Sequence, residues 1–339
     1  MKQFGQYTRR EFACVLLAAN EENRTTKAKE PVTTKAEWQT LRRSTLAGMQ
    51  EVMGPLPRSP ADPPEMKVVE EYASERWIRR RITFSSGDGD AVPAWLFTPR
   101  SRNGRHRAAL CLHQTTATGK AEPAGLGGKP NLHYALELAE RGFVTLAPDY
   151  PKFGDYQTNP YSMGYVSTTM KGVRNHRRAV DLLCSLPNVS PRRIAAIGHS
   201  LGGHNALFLA AFDPRVQVVV TSCGFTSFAK YYGGDLAGWS HAGYMPRIAS
   251  VYGKDPARVP FDFPAILQSL APRPLFINAP LRDSNFDVSG VDDCVRAAQD
   301  VYRRVFRTSR RIQVEHPDCG HDFPPEIRTA AYDFMMRML

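Results

Sequence analysis

Long apolar runs are missing from this chain, because no stretch approaches the roughly eighteen consecutive apolar residues of a membrane-spanning helix. Internal repeats are also missing. The six cysteines include no Cys-x-x-Cys pair and no metal-site spacing, so we expect free thiols, with Cys111, Cys184 and Cys223 in the core, and no bound metal or cofactor. No nucleic-acid-binding motif accompanies the net charge of +11, and we interpret the arginine clusters as solvated helix faces.

The chain does contain an alternation of two hydrophobic patterns. Short runs rich in β-branched and apolar residues predict strands at 66–71, 77–84, 91–98, 108–113, 144–147, 194–197, 216–221, 275–278 and 312–315. From the fourth strand onward, these runs alternate with helical patterns at 132–141, 168–185, 201–211, 291–304 and 326–338. This order predicts an α/β fold in which a mostly parallel, twisted sheet has helices on both faces.

The most informative segment joins one predicted strand to one predicted helix. The run at 194–197 ends in Gly198-His-Ser200-Leu-Gly202, and a helical pattern follows at once. A glycine on either side of Ser200 lets the backbone turn steeply enough to hold the serine Oγ clear of the sheet. Ser200 is therefore the candidate nucleophile. We interpret the neighbouring His199 and His204 as packing or hydrogen-bonding residues, because a zinc site would need ligands from other elements.

Two later loops offer an acid and a base. The loop after the strand at 275–278 holds two carboxylates, Asp283 and Asp287. We prefer Asp283 because it lies in the first turn beyond the strand, whereas Asp287 is close to the next helix and suits a cap. The loop after the last strand holds His316 and His321. We prefer His321 because it follows a glycine on the more projecting segment.

These residue types divide one chemical task. A serine hydroxyl is a poor nucleophile at neutral pH, so an imidazole must remove its proton, and a carboxylate behind the imidazole stabilises the imidazolium. The oxyanion that forms needs backbone donors. We expect one donor at Leu201, directly after the nucleophile, and a second at Thr115 or Gln114, in the loop after the strand at 108–113. We interpret His113 as an anchor of that loop.

Together these motifs resemble the α/β-hydrolase superfamily, and within it the dienelactone-hydrolase-like and acetyl-xylan-esterase-like serine esterases. The resemblance covers residues 65–339. It rests on the Ser200 turn, the His113-Gln-Thr-Thr loop, the Ala147-Pro-Asp149-Tyr150 strand end, the Asp283 loop and the Gly320-His321-Asp-Phe segment. Dienelactone hydrolases carry a cysteine nucleophile, and serine stands in that place here. The resemblance therefore implies ordinary carboxylic ester hydrolysis.

A segment rich in aromatic residues and glycine lies between the predicted strands at 216–221 and 275–278. We expect Tyr231, Trp239, His241 and Tyr244 to line the substrate pocket. The alternative is a surface excursion whose aromatic rings pack onto the core. The segment is too short for a large lid domain, and it favours an open cleft that accepts a short-acyl or polymer-attached ester.

The N-terminal region departs from this pattern. Residues 31–64 predict a helical extension in front of a single catalytic domain at 65–339. Within residues 1–30, Thr8-Arg9-Arg10-Glu-Phe12 and a short apolar run resemble a twin-arginine export signal, followed by a polar linker. This segment predicts a periplasmic or secreted protein. A cytoplasmic location is the alternative, because no small-x-small cleavage site follows.

The sequence thus predicts a serine carboxylesterase acting on a small-molecule or carbohydrate ester, with Ser200, Asp283 and His321 as catalytic residues. A serine peptidase, or a lactone-opening or acyl-transfer enzyme of the same fold, would use the same residues and is an alternative. A non-catalytic binding protein of this fold is a further alternative, which the intact set of three residues disfavours.

Overall fold

The computed structural model describes residues 31–101 and 104–339. The predicted export signal and its linker, at residues 1–30, lie outside the described residues, so the predicted location stays a prediction. Among the helices that are described, none is both long and apolar enough to cross a membrane. The predicted boundaries at residues 30 and 64 also stay predictions.

Nine strands in the described part of the chain form one sheet. They are β1 (Met66–Ala73), β2 (Trp77–Ser85), β3 (Ala91–Pro99), β4 (His106–Leu112), β5 (Val144–Pro148), β6 (Val189–His199), β7 (Val216–Ser222), β8 (Leu275–Asn278) and β9 (Ile312–Glu315). Their order across the sheet is β1-β2-β3-β5-β4-β6-β7-β8-β9. The pairings of β1, β2 and β3 are antiparallel, and those among β4 to β9 are parallel.

Helices pack on both faces of this sheet. They are α1 (Lys35–Met53), α2 (Tyr134–Glu140), α3 (Thr168–Ser185), α4 (Leu201–Phe212), α5 (Arg247–Ser250), α6 (Phe263–Ser269), α7 (Val288–Arg304) and α8 (Pro325–Met338). The predicted fold class is confirmed, because a mostly parallel sheet lies between two helical layers. Between β7 and β8 the chain forms only short helices and turns, and no large lid domain is present among these residues.

Alternate side chains of the central strands face the two helical layers. Val219 of β7 belongs to a core that also contains residues of α1, α3, α4, α6 and α7. Its neighbours Val218 and Val220 belong to the opposite core, together with residues of α2 and α8. Both cores bury β7, which explains its continuous valine run. Helix α4 is buried from Leu201 through Ala211, as a helix that is apolar all round requires.

Several predicted boundaries shift for local physical reasons. Strand β4 ends at Leu112, so His113 begins the following loop and is not part of the strand. Helix α7 begins three residues earlier than predicted, because the Asp287 side chain caps it by accepting the Ser289 N–H. Cys184 is half-buried and is not a core thiol, whereas Cys111 and Cys223 are buried as predicted.

The sheet topology determines where a site can form. Strands β6, β7, β8 and β9 are parallel neighbours, so their carboxyl ends lie along one edge. Ser200 follows β6, Cys223 follows β7, Asp283 lies in the loop after β8, and His321 lies in the loop after β9. Ligand sites of such sheets form at this edge.

Candidate active site

The turn between β6 and α4 holds Ser200 in a strained conformation. Its φ of 53° and ψ of −116° lie in a region that side chains with a Cβ rarely adopt. The Ser200 N–H donates a 2.8 Å hydrogen bond to the carbonyl of Ser222, the last residue of β7. This bond ties the turn to the neighbouring strand, and the Ser200 side chain stays only half-buried.

Close backbone packing explains the two glycines of this turn. A Cβ at Gly198 would overlap the backbone of Gly202. A Cβ at Gly202 would in turn overlap the carbonyl oxygen of Leu112 at the end of β4. The loop that follows β4 therefore lies directly beside the first turn of α4.

This arrangement brings the predicted oxyanion donors into one region. The Leu201 N–H lies in the first turn of α4, where amides have no partner within the helix and the helix dipole favours negative charge. The side chains of the neighbouring loop have other partners. Gln114 Nε2 donates to Glu122 Oε1 at 3.0 Å, and Thr115 Oγ1 lies 2.9 Å from the Tyr244 hydroxyl. An oxyanion contact from Gln114 or Thr115 would thus come from the backbone.

Asp283 and His321 form a hydrogen-bonded pair. His321 Nδ1 lies 2.9 Å from Asp283 Oδ2 and 3.0 Å from Oδ1. The Asn285 N–H also donates to Oδ1 at 2.8 Å. Burial favours the protonated form of Asp283, but its hydrogen bonds with His321 and Asn285 hold the pKa of the carboxyl below its usual range. The carboxylate therefore accepts the Nδ1–H of His321 and leaves Nε2 as the unprotonated nitrogen.

The pair lies beside the Ser200 turn. The His321 ring packs against the ring of His199, the residue before Ser200, with ring centres 4.7 Å apart. The Asp283 side chain is only 1% exposed and that of His321 is 17% exposed. The carboxylate is therefore shielded from solvent, whereas the imidazole is partly accessible. The structure thus gathers Ser200, Asp283 and His321 at one edge of the sheet.

Asp287 and His316, the alternative acid and histidine, do not contact each other or the Ser200 turn in the way that Asp283 and His321 do. Asp287 Oδ1 accepts the Ser289 N–H at 2.8 Å, as a helix cap does. His316 Nδ1 lies 2.7 Å from the carbonyl of Ala279, and its Nε2 lies 3.3 Å from Asp292. His316 is therefore held between β8 and α7.

The remaining histidines of this edge are buried and neutral. His113 accepts the Tyr150 N–H at Nε2 over 2.9 Å, consistent with an anchor of its loop, and burial lowers its pKa. The His204 ring packs against Trp239 and Tyr244, with ring centres 4.8 and 5.6 Å apart. Burial lowers the pKa of His204 to about 3, so it carries no charge at neutral pH.

The four predicted pocket residues lie close together and form, with Phe286, what we call the aromatic wall. Trp239 is buried, with its ring 5.6 Å from that of Tyr231 and 6.1 Å from that of Tyr244. His241 is exposed and packs 4.3 Å from Tyr244. Phe286 joins this group to the sheet edge that holds Ser200, Asp283 and His321, the proposed catalytic edge, because its ring lies 6.2 Å from Trp239 and 5.9 Å from His321.

Sequence reasoning missed two residues of this site. Phe286 lies in the Asp283 loop, three residues after the acid, and no local sequence pattern marks it as a site residue. Cys223 was interpreted as a core thiol, although it directly follows β7 and has a positive φ of 47°. Its position at the end of a central parallel strand was the available signal. His199, Cys223 and His321 each offer a metal-binding atom, and these atoms lie within 4.8 Å of one another.

Comparison with known proteins agrees with this architecture. The sequence pattern of the alpha/beta hydrolase family matches residues 124–331, which include Ser200, Asp283 and His321. The chain therefore belongs to the α/β hydrolase family, as the sequence motifs indicated, and the match supports a hydrolase.

Its relatives are distant. Over 143 residues the chain is 34% identical to the uncharacterized protein PA2218 of Pseudomonas aeruginosa, an alignment that covers 42% of this chain and only 36% of that protein. A glucuronoyl esterase from Solibacter usitatus has the same fold, with a TM-score of 0.70 and 17% identity over 92% of this chain and 96% of that one. An acetyl xylan esterase from Paenibacillus sp. R4 follows with a TM-score of 0.61 and 18% identity over 95% and 99%.

Proposed function

We propose that this protein is a serine carboxylic ester hydrolase that works through an acyl-enzyme. The observation that carries the proposal is the Asp283–His321 pair beside the strained Ser200 turn. A buried carboxylate on Nδ1 leaves the other imidazole nitrogen as a base, and a serine on a tight strand-to-helix turn is the residue such a base activates.

In the first half of the reaction, Ser200 Oγ attacks the ester carbonyl carbon while His321 Nε2 accepts the hydroxyl proton. The Leu201 N–H and a backbone N–H of Gln114 or Thr115 bind the oxyanion of the tetrahedral intermediate. The intermediate collapses, the bond to the alcohol oxygen breaks, and His321 donates its proton to the departing alcohol.

In the second half, water hydrolyses the acyl-enzyme. The water oxygen attacks the acyl carbon while His321 accepts a proton from the water. The bond between the acyl carbon and Ser200 Oγ then breaks. The proton returns to Ser200 and the carboxylic acid departs. Asp283 stays ionised throughout and stabilises the imidazolium of each half-reaction.

We further propose short-acyl esters, including acetylated carbohydrate, as the substrates. Within the aromatic wall, Trp239 and Phe286 are buried, whereas the partly buried Tyr231 and Tyr244 and the exposed His241 offer ring surface to an apolar or carbohydrate alcohol portion. Among the described residues, the segment between β7 and β8 forms only short helices and places no large lid over the edge. The fold shared with carbohydrate esterases is consistent with this choice.

The test is hydrolysis of p-nitrophenyl acetate, butyrate and octanoate by the purified protein and by Ser200→Ala. We expect acetate and butyrate to be cleaved faster than octanoate, and Ser200→Ala to lower kcat at least about 10⁴-fold. Ser185→Ala, which changes an exposed serine at the end of α3, is the matched control and keeps wild-type activity.

The substrate class is tested separately, by release of acetate from acetylated xylan. No turnover of any ester by the wild-type protein, or equal turnover by Ser200→Ala, would overturn the proposed mechanism. Turnover of p-nitrophenyl acetate without acetate release from xylan would overturn only the carbohydrate part.

A further inference from the structure

Three side chains with metal-binding atoms meet at the edge where Ser200 lies. His199 ends β6, Cys223 follows β7, and His321 lies in the loop after β9. One ligand atom from each lies within 4.8 Å of the other two. Zinc–nitrogen and zinc–sulfur bonds of about 2.0 and 2.3 Å in a tetrahedral site require ligand atoms about 3.3 to 3.6 Å apart. Side-chain movements of roughly 1 Å would therefore bring the three atoms onto one ion.

The hydrogen bonds of the buried His199 imidazole suit a metal ligand. Its Nδ1 lies 2.8 Å from Ser222 Oγ, and its Nε2 has no hydrogen-bond partner among the described residues. Asn278 Nδ2 donates to the same Ser222 Oγ at 2.8 Å, which holds the hydroxyl in place. A second hydrogen bond on the far ring nitrogen is what orients a metal-binding histidine. A buried nitrogen without a partner is a destabilising feature that a bound cation would remove.

His321 has the same arrangement. Its Nδ1 is held by the Asp283 carboxylate, so its Nε2 is the atom available to a ligand. A carboxylate, an imidazole and a metal ion in this order form a recurrent unit of zinc sites. The same unit serves proton transfer while no metal is bound.

The charges of the cluster suit a divalent, thiophilic cation. Cys223 Sγ donates a 3.4 Å hydrogen bond to the carbonyl oxygen of Asp322, so the thiol carries its proton while no metal is bound. When an ion binds, the S–H bond breaks, the proton leaves to solvent, and a metal–sulfur bond forms. The thiolate and the Asp283 carboxylate together then balance two positive charges.

We propose that His199, Cys223 and His321 form an inhibitory binding site for a single Zn²⁺ ion. The bound ion is coordinated by His321 Nε2, the nitrogen that accepts the Ser200 proton in the proposed function. His321 then cannot act as the base. The metal site itself does not depend on catalysis, whereas the inhibition rests on the proposed esterase function.

The test uses the full-length, metal-free protein titrated with CoCl₂, because Co²⁺ replaces Zn²⁺ and gives a thiolate-to-metal charge-transfer band in the near ultraviolet. We expect this band at one equivalent of Co²⁺, and its loss when ZnCl₂ is added. Absence of the band from the wild-type protein would overturn the proposal, with no variant needed.

Variants then identify the ligands. We expect Cys223→Ser to abolish the band and His199→Asn to weaken Co²⁺ binding at least about 100-fold, since loss of partners behind a ligand already costs 10- to 100-fold. Cys319→Ser is the matched control, because Cys319 lies two residues from His321 but outside the cluster. A band that survives Cys223→Ser, or disappears in Cys319→Ser, would contradict the assignment.

The inhibitory role has its own measurement. We expect ZnCl₂ to suppress ester hydrolysis and fluorophosphonate labelling of Ser200, and EDTA to restore both. Zinc that displaces Co²⁺ and abolishes the band, but leaves fluorophosphonate labelling unchanged, would refute the inhibition but not the site. A protein that shows the band and no esterase activity would refute the proposed function alone.

Discussion

Two clusters of buried ionisable side chains lie against the sheet, and their charges are balanced in different ways. In what we call the ionic cluster, Lys171 of α3 lies 2.9 Å from Asp88 and 3.0 Å from Asp90, in the turn between β2 and β3. Arg174, one helical turn further on, lies 3.5 Å from Asp88. Two permanent cations thus face two carboxylates, and both cations are almost fully buried.

At the catalytic edge, the buried carboxylate has a partner of another kind. Across residues 31–101 and 104–339, Asp283 forms no ion pair with lysine or arginine, and its one salt-bridge partner is His321. An imidazole changes its charge near neutral pH, whereas an ammonium or guanidinium does not. Asp283 therefore has a partner that is neutral as an imidazole and positively charged as an imidazolium.

This difference separates the tasks of the two clusters. The ionic cluster connects the β2–β3 turn to α3. Burial favours the protonated form of Asp90, but hydrogen bonds from Ser86 and Tyr156, together with Lys171, hold the pKa of its carboxyl below the usual range. A fixed cation beside Asp283 would neutralise the carboxylate permanently and would remove its ability to stabilise an imidazolium. The proposed proton-transfer site thus holds Asp283 without a lysine or arginine, whereas the ionic cluster pairs its two carboxylates with two permanent cations.

The largest expected effect on activity comes from changing the hydrogen-bonded pair of Asp283 and His321. Asp283→Asn lets the side-chain amide donate to Nδ1, which places the His321 proton on Nε2 and removes the base. We expect kcat for p-nitrophenyl acetate to fall about 10³- to 10⁴-fold with little change in stability. Asp287→Asn is the matched control, because Asp287 caps α7 and does not contact His321. Equal losses in both variants would contradict the assignment of Asp283 as the acid.

Breaking the ionic cluster should lower stability and leave activity unchanged, the opposite of the Asp283→Asn effect. Lys171→Met leaves two carboxylates without their main cation, and we expect the free energy of unfolding to fall by about 3 to 5 kcal/mol while the folded protein keeps its kcat. Denaturant unfolding and steady-state kinetics measure the two effects. Lys67→Met removes an exposed pair with Glu65 and should cost far less. A large loss of kcat with unchanged stability would erase the distinction between the clusters.

The sequence predicted the framework better than either cluster. The bounds of α3, β8 and β9 were predicted to the residue, because an apolar pattern flanked by polar or proline-containing loops is a local signal. The choice of Asp283 and His321 followed from their places in the loops after two predicted strands, and the two side chains form a hydrogen bond in the structure. The catalytic roles of these residues stay predictions.

The ionic cluster could not be predicted, because its two carboxylates lie more than eighty residues from its two cations, and each resembles an ordinary surface charge in the sequence. The positions of Cys223 and Phe286 beside His321 were not predicted, for a related reason. Their proximity to His321 depends on how the loops after three different strands fold over the sheet edge. Hydrophobic periodicity carries no information about such loops.

A third kind of buried carboxylate sharpens the comparison. Asp262 caps α6, and burial raises its pKa from 3.8 to about 6, although the N–H groups of Phe263 and Phe228 offset part of this effect. The folded state thus binds the proton more tightly than the unfolded state. Stability therefore falls as the pH rises from about 4 to about 6, by up to about 3 kcal/mol.

Asp262→Asn removes this titration and keeps an oxygen for both N–H groups. We expect its stability relative to the wild-type protein to increase between pH 4 and pH 7, as measured by denaturant unfolding across that range. Asp287 is the control of opposite sign. Hydrogen bonds with Ser289 lower its pKa, so its contribution is present at neutral pH and is lost on acidification. A pH-independent difference for Asp262→Asn would show that the buried cap is not titrating.

The smallest expected effect concerns the backbone of the site. Ser200 has a φ of 53° with a ψ of −116°, which glycine tolerates and alanine does not. Ser200→Gly should therefore be more stable than Ser200→Ala by about 1 kcal/mol, with both variants inactive. At Ser185, the last residue of α3, the order should reverse, because glycine is the poorer helix former. If glycine were also the less stable substitution at Ser200, the turn would store no strain. The catalytic edge would then differ from the ionic cluster in its charges alone.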